Sequence, residues 1–257
     1  ATKSVGWVPL TIYDKTQWNR DEWRGLKVTQ RRRAVREFLR GKYCYGGLDL
    51  SKSTDLTAFV LVFPPQPGLE RWAALFWAWT PLDGIAEREN RDGVPYRDWI
   101  RAEFLTGCPG DIVDYAMVEA AIWEAASMFR IRTLGLDPAM AWTLSSRLME
   151  GREGRPGLEV ITISQTMMGM SPAMKRLELL LRRHEMLHEH NTCARWNFGN
   201  VRCAVDGNEN VKPMKNRSAG RIDVTVAWII AMATVMEKEP QGPDINEHVL
   251  SDDWGLF

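Results

Sequence analysis

The chain has 257 residues, 45% hydrophobic and 26% charged, which is ordinary for a globular protein and long enough for one large domain or one domain with appendages. A formal net charge of zero excludes the tight, charge-driven grip of a strongly basic nucleic-acid binder and leaves room only for local basic patches. No run approaches the ~18 apolar residues of a membrane span, the first ten residues lack the apolar core of a signal peptide, and Cys44, Cys108, Cys193 and Cys203 show no CxxC spacing; the expectation is an intracellular protein with reduced structural thiols and no membrane partner.

Residues 1–40 carry Trp7, Trp18 and Trp23 in a polar setting, then the basic run Gln30-Arg31-Arg32-Arg33 leading into AVREFLR. They read as an N-terminal connector or arm with a short helix, the basic run being a solvated helix face in preference to a phosphate-binding strip. From residue 43 the pattern turns to strands at 43–50, 56–63 and 71–80, separated by SKSTD and by PPQPG; three strands on short links imply an antiparallel meander. Trp72, Trp77 and Trp79 read as core or sheet face rather than as a base-stacking platform. A polar excursion follows Pro81, then helical periodicity over 96–106 and a helix over 114–130 with Asp114 as N-cap.

The second half alternates. A strand over 131–136 ends in Asp137-Pro138, a helix runs to about 149, a strand covers 158–163, and Ser171-Pro172 opens a helix to about 188. Such alternation argues for parallel pairing. A β-like region at 194–205, the turn DGNEN and the loop VKPMKNRSAG lead to a final apolar helix whose first turn holds Asp223. An acidic tail, 241–257, reads equally as a docking peptide or as disorder. The whole is an α/β chain with a mixed sheet, its first three strands antiparallel and the later ones parallel, flanked by helices.

Three acids stand at element ends. Asp49 closes the first strand, Asp137 closes the first strand of the α/β half, and Asp223 starts the last helix. If the first and fourth strands are neighbours, Asp49 and Asp137 lie side by side, and a helix packed across the sheet brings Asp223 within reach. Three converging carboxylates repel one another, and divalent cations resolve the conflict. Hard oxygen donors at a partly open site suit Mg²⁺ or Mn²⁺, and two such ions ~3.5–4 Å apart serve in-line displacement at phosphate. Taken singly, an Asp before a Pro or in the first turn of a helix is usually a cap.

At these residues the sequence resembles the C-terminal nuclease domain of the large terminase subunit of tailed double-stranded DNA bacteriophages. The resembling segments, in order, are YGGLDLSKSTDLTAFVLVFP, DGVPYRDWI with PGDIVDY, LDPAMA, SPAMKRLELLL and NVKPMKNRSAGRIDVTVAWIIAMA, covering roughly 43–236. The resemblance implies an RNase H-like fold and metal-dependent endonucleolytic cleavage of concatemeric viral DNA during genome packaging, in the host cell cytoplasm. It implies metal ligation and catalysis by Asp49, Asp137 and Asp223, with Asp55 as a supporting acid; a turn residue bonding its own backbone is the other reading of Asp55. Lys212, Lys215, Arg217 and Arg221 would hold the phosphates of the cut strand, or else form a solvated loop. The implied partners are double-stranded DNA, the terminase ATPase domain, the small terminase subunit and the portal. No GxxxxGK[ST] loop occurs, and GREGRPG at 151–157 has no lysine in the required place, so 41–240 reads as the nuclease part alone, with 1–40 a remnant of the interdomain connector.

Other classes remain to be separated. HEMLH at 184–188 matches the HExxH pattern of zinc proteases, but falls at the end of a Leu/Arg-rich helix with no comfortable third ligand. A non-catalytic DNA- or portal-docking module would have no need of three mutually repelling acids. An RNase H-like resolvase or transposase would share the chemistry and differ in preferring branched or end-specific DNA.

Overall fold

The computed structural model describes residues 3–51, 56–137, 142–152, 154–215, 218 and 220–239. In chain order the elements are β1 (Lys3–Gly6), α1 (Leu10–Lys15), a 3-10 turn (Asp21–Trp23), α2 (Val28–Phe38), β2 (Tyr43–Asp49), β3 (Thr57–Phe63), β4 (Trp72–Pro81), α3 (Ile85–Asp92), α4 (Tyr96–Arg101), β5 (Thr106–Cys108), α5 (Tyr115–Met128) and β6 (Arg130–Leu136). There follow α6 (Trp142–Glu150), β7 (Glu159–Thr162), α7 (Met167–Arg182), β8 (Met186–His188), α8 (Thr192–Asn200), β9 (Arg202–Val205), β10 (Val211–Pro213) and α9 (Asp223–Lys238).

The main sheet runs β5-β4-β3-β2-β6-β7, with β8 also paired to β4. Strands β2, β3 and β4 form an antiparallel meander, while β6 pairs parallel with β2 and β7 parallel with β6. This is the RNase H-like mixed sheet that the resemblance implied. The long β4 serves two short partners, β8 at Trp72–Ala74 and β5 at Trp79–Pro81.

Strand β3 shows why the sheet is central. Every residue of TAFVLVF is buried. Its alternation divides the side chains between two cores, Ala58, Val60 and Val62 facing α7 and α9, and Phe59, Leu61 and Phe63 facing α2, α5 and α6. Helix α9 is apolar nearly all round and buried from Asp223 to Val235, as a helix must be to lie against a sheet under further helices.

Residues 3–40 do not stand apart as an arm. Strand β1 pairs with β9 in a small antiparallel sheet completed by β10, Tyr13 joins the α9 core, and Trp18 and Trp23 join the α2 core. The segment passes from one face to the other along the β8 edge, where the Trp18 amide donates to the His188 carbonyl. The basic run is accordingly not all solvated, since Arg32 is buried against Glu189. Two other expectations are corrected. Residues 192–200 form α8, with the Asn191 side chain accepting from the Ala194 amide as its N-cap, so the β-like region shrinks to β9. Helix α7 starts five residues before Pro172, at a Thr166 cap that accepts from the Gly169 amide.

Candidate metal centre

Asp49 is the last residue of β2, and Asp137 follows the last residue of β6. The parallel register pairs Gly47 with Gly135 and Leu48 with Leu136, so the two acids emerge next to each other at neighbouring strand ends, strands being ~4.8 Å apart. Both ends read Gly-Leu-Asp, a repeat that marks the register in the sequence itself.

Asp223 reaches this edge because α9 lies almost on the sheet backbone. A Cβ at Gly47 would stand 2.1 Å from the Ala227 carbonyl oxygen and 2.3 Å from the Ala231 amide nitrogen, and a Cβ at Gly135 would stand 2.0 Å from Thr234 Oγ1. Asp223 is one turn before Ala227, ~6 Å along the helix, and Asp49 is two residues beyond Gly47 on the same sheet face, ~6.6 Å along the strand. The two steps match. The first turn of α9 is fixed from α8, where Asn197 Oδ1 accepts from the Val224 amide and Asn200 donates to the Arg221 carbonyl. On the sheet side, the Ser51 amide donates to Thr57 Oγ1 and the Tyr115 hydroxyl to the Ser51 carbonyl, bracing the chain just past Asp49. Asn197, Asn200, Tyr115 and the two glycines escaped the sequence reading; the Gly-Leu-Asp repeat is the signal that would have found the glycines.

Asp49 and Asp223 are 3% and 2% exposed. One ammonium joins them: Lys215 Nζ lies 2.7 Å from Asp49 Oδ2 and 3.1 Å from Asp223 Oδ1. The second oxygen of Asp223 is buried with no hydrogen-bond partner among the described residues. Burial pushes the Asp49 carboxyl up to about 7 against the pull of Lys215, and the neighbouring charges of Asp223 and Asp137 push the same way. Lys215 is itself held protonated, because the attraction of the two carboxylates outweighs its own burial.

The donor chemistry fits a hard divalent cation. Two buried carboxylates already share a cation, a third acid sits at the next strand end, and an unpartnered buried carboxylate oxygen is available. Among the described residues, no group of three or more His, Cys, Asp or Glu side chains is placed to hold a metal ion as it stands, and Lys215 lies between two of the acids. Lys212 is half-buried in β10, and Arg221 Nε is 4.0 Å from Asp92 Oδ2, an acid that also accepts from the Tyr96 hydroxyl. Asp55 and Arg217 lie outside the described residues.

HEMLH is not a helical pair of histidines. Helix α7 ends at Arg182, His184 takes the left-handed conformation (φ 56°), and His188 belongs to β8, fully buried, its ring nitrogens facing the carbonyl oxygens of Glu189 and Tyr13. The zinc geometry requires both imidazoles on one helical face, and the pattern spans a helix end and a strand instead.

Comparison with known proteins gives one consistent picture. The family described as terminase large subunit, endonuclease domain, matches residues 11–239. A terminase large subunit of Enterobacteria phage HK97 is 29% identical over 206 residues, 80% of this chain and 40% of that protein. Protein YmfN of Escherichia coli K12 is 26% identical over 225 residues, 84% of this chain and 48% of that protein. The chain thus spans less than half the length of these two curated relatives. In structure, the HK97 bacteriophage large terminase superposes with a TM-score of 0.74 over 90% of this chain and 44% of that one, at 24% identity.

Proposed function

The chain belongs to the terminase large subunit endonuclease domain family, and on that footing we propose that it is a divalent-metal-dependent endodeoxyribonuclease that cuts concatemeric viral DNA during genome packaging in the host cytoplasm. The observation that carries this reading is the meeting of buried Asp49 and Asp223 on a single cation, with Asp137 at the adjoining strand end. A binding module gains nothing from desolvating two like charges together, whereas a phosphate-cutting centre requires it.

In this reading Asp49, Asp137 and Asp223 hold Mg²⁺ or Mn²⁺, two ions in all, which when bound supply Lewis-acid neutralisation of charge at the phosphate. Asp55, six residues after Asp49 in sequence, is assigned as a supporting acid. The strand ends keep Asp49 and Asp137 fixed while α9, clamped by Asn197, keeps Asp223 over them, so the ligand set needs little reorganisation. Lys212, Lys215, Arg217 and Arg221 precede Asp223 in sequence and are assigned to the phosphates of the bound strand. The ATPase domain, small subunit and portal are assigned as partners by the same family reasoning. Among the described residues, no helix is long and apolar enough to cross a membrane.

The test is plasmid cleavage with Mg²⁺ or Mn²⁺. Asp49→Asn, Asp137→Asn and Asp223→Asn each remove one charged ligand while keeping side-chain size. Each is expected to lower the cutting rate at least about 100-fold, the loss of ~2.7 kcal/mol of transition-state stabilisation, with circular dichroism unchanged. Undiminished cutting by any one variant takes that residue out of the site, and cutting unaffected by EDTA overturns the metal dependence.

A further inference from the structure

The carboxylate centre already contains a cation of the protein's own. Lys215 Nζ bonds Asp49 and Asp223 at 2.7 and 3.1 Å, distances at which a carboxylate oxygen cannot also receive a metal ion along the same approach. The two acids are deeply buried, with side chains 4% and 3% exposed, while the lysine side chain is 45% exposed. Part of the lysine side chain is thus open to solvent, which gives the ammonium a route out along its own stem. It stands on the segment between β10 and α9, two residues after β10 ends, so its departure disturbs no ladder of the main sheet.

We infer that Lys215 is a resident counter-cation which a divalent ion must displace, so that the protein exchanges its own ammonium for metal at Asp49 and Asp223. The inference rests on the metal-centre reading above and adds to it how the site is kept when no ion is bound. Without a cation, two buried carboxylates beside a third would repel and destabilise the folded chain. The ammonium prevents this at a cost, because every metal-binding event competes with it. A divalent ion supplies twice the charge and can also engage the unpartnered Asp223 oxygen, which the single ammonium leaves unused. Once displaced, the Lys215 side chain is free for an anionic oxygen of a nucleic-acid strand, so the exchange makes metal loading and strand binding mutually favourable.

The experiment is Mn²⁺ titration of the DNA-free full chain by calorimetry, comparing wild type with Lys215→Met and Lys215→Arg. Lys215→Met is expected to bind Mn²⁺ at least about tenfold more tightly, and Lys215→Arg within about threefold of wild type. Lys212→Met, which removes a nearby positive charge in β10, is expected to shift the affinity by less than about threefold, separating displacement from a general field effect. In EDTA, Lys215→Met is expected to melt at a lower temperature than wild type and to regain the difference with Mn²⁺. Should Lys215→Met prove unfolded, a Mn²⁺-soaked structure of the wild type decides: Lys215 Nζ out of bonding distance of both acids supports exchange, and Nζ still bonded to both overturns it. Equal affinities for wild type and Lys215→Met overturn the exchange while leaving the metal centre standing. Failure of both to bind Mn²⁺ overturns the metal-centre reading and the exchange with it.

Discussion

At the scale of single residues, His184 shows how local backbone chemistry can counterfeit a motif. Arg183 caps α7, the His184 amide donates to the Leu181 carbonyl and the Glu185 amide to the Leu180 carbonyl, which is the Schellman pattern with His184 at the left-handed position. That position suits glycine, since a Cβ there crowds the backbone by roughly 1 kcal/mol. His184→Gly is therefore expected to raise unfolding stability by about 0.5–1 kcal/mol in urea melts and to leave nuclease activity unchanged, whereas a zinc protease would be destroyed by it. A drop in stability would show that the imidazole makes contacts worth more than the strain. The acids at 49, 137 and 223 were legible because an acid at the end of an apolar element is costly and conspicuous. Lys215 was legible only as a basic residue before Asp223, because nothing in a loop's sequence tells which way a flexible side chain turns.

At the scale of elements, the site depends on how closely α9 approaches β2 and β6. Two glycines in register, Gly47 and Gly135, remove the side chains that would otherwise hold the helix off. At Gly47 the obstructing atoms are helix backbone, which cannot rotate aside. Gly47→Ala is expected to destabilise the fold by about 2–3 kcal/mol, read from the denaturation midpoint, and to weaken Mn²⁺ binding by moving Asp223 away from Asp49. Gly135→Ala meets the Thr234 hydroxyl instead, and Thr234→Ala in the same chain is expected to recover part of its loss. A Gly47→Ala protein with wild-type stability would mean that α9 sits on the sheet with slack. Strands β2, β3, β4, β6 and β7 and helices α5, α6 and α9 were readable from apolar runs and cap residues, whereas α1 and α3, polar and short, were not. Helix α8 was not, because TCARWNFGN mixes aromatic and β-tolerant residues, and its start is set by a cap at Asn191 rather than by periodicity.

At the scale of the whole molecule, one buried acid adds a polar tie between the N-terminal segment and the sheet. Glu189 is fully buried, accepts from Arg32 Nε at 3.1 Å, Arg36 Nη2 at 3.1 Å and the Phe76 amide at 2.8 Å, and so ties α2 to β4 and to the chain leaving β8. Sequence reasoning separated 1–40 because the tryptophans sit among polar residues; it could not see that Arg32 and Arg36, one helical turn apart, share a partner about 150 residues away. The same geometry sets a pH dependence. Burial alone would raise the Glu189 carboxyl, but the two guanidiniums and the bonds they donate hold it down at about 2, below its ordinary 4.5. In the folded state it thus stays ionised where the unfolded chain takes up a proton. Its contribution is fully present above about pH 4.5 and is lost as the pH falls toward 2, an upper bound of about 3 kcal/mol for this one group. Denaturant melts at pH 7 and pH 3 measure it. Wild type is expected to lose more stability on acidification than Glu189→Gln, which at pH 7 should already be about 3 kcal/mol weaker because two guanidiniums are left without their charge. Parallel pH curves for the two proteins would mean that the arginines find other partners and that the segment is held by its apolar contacts alone, with Trp18, Trp23, Val35 and Leu39 as the residues to truncate next.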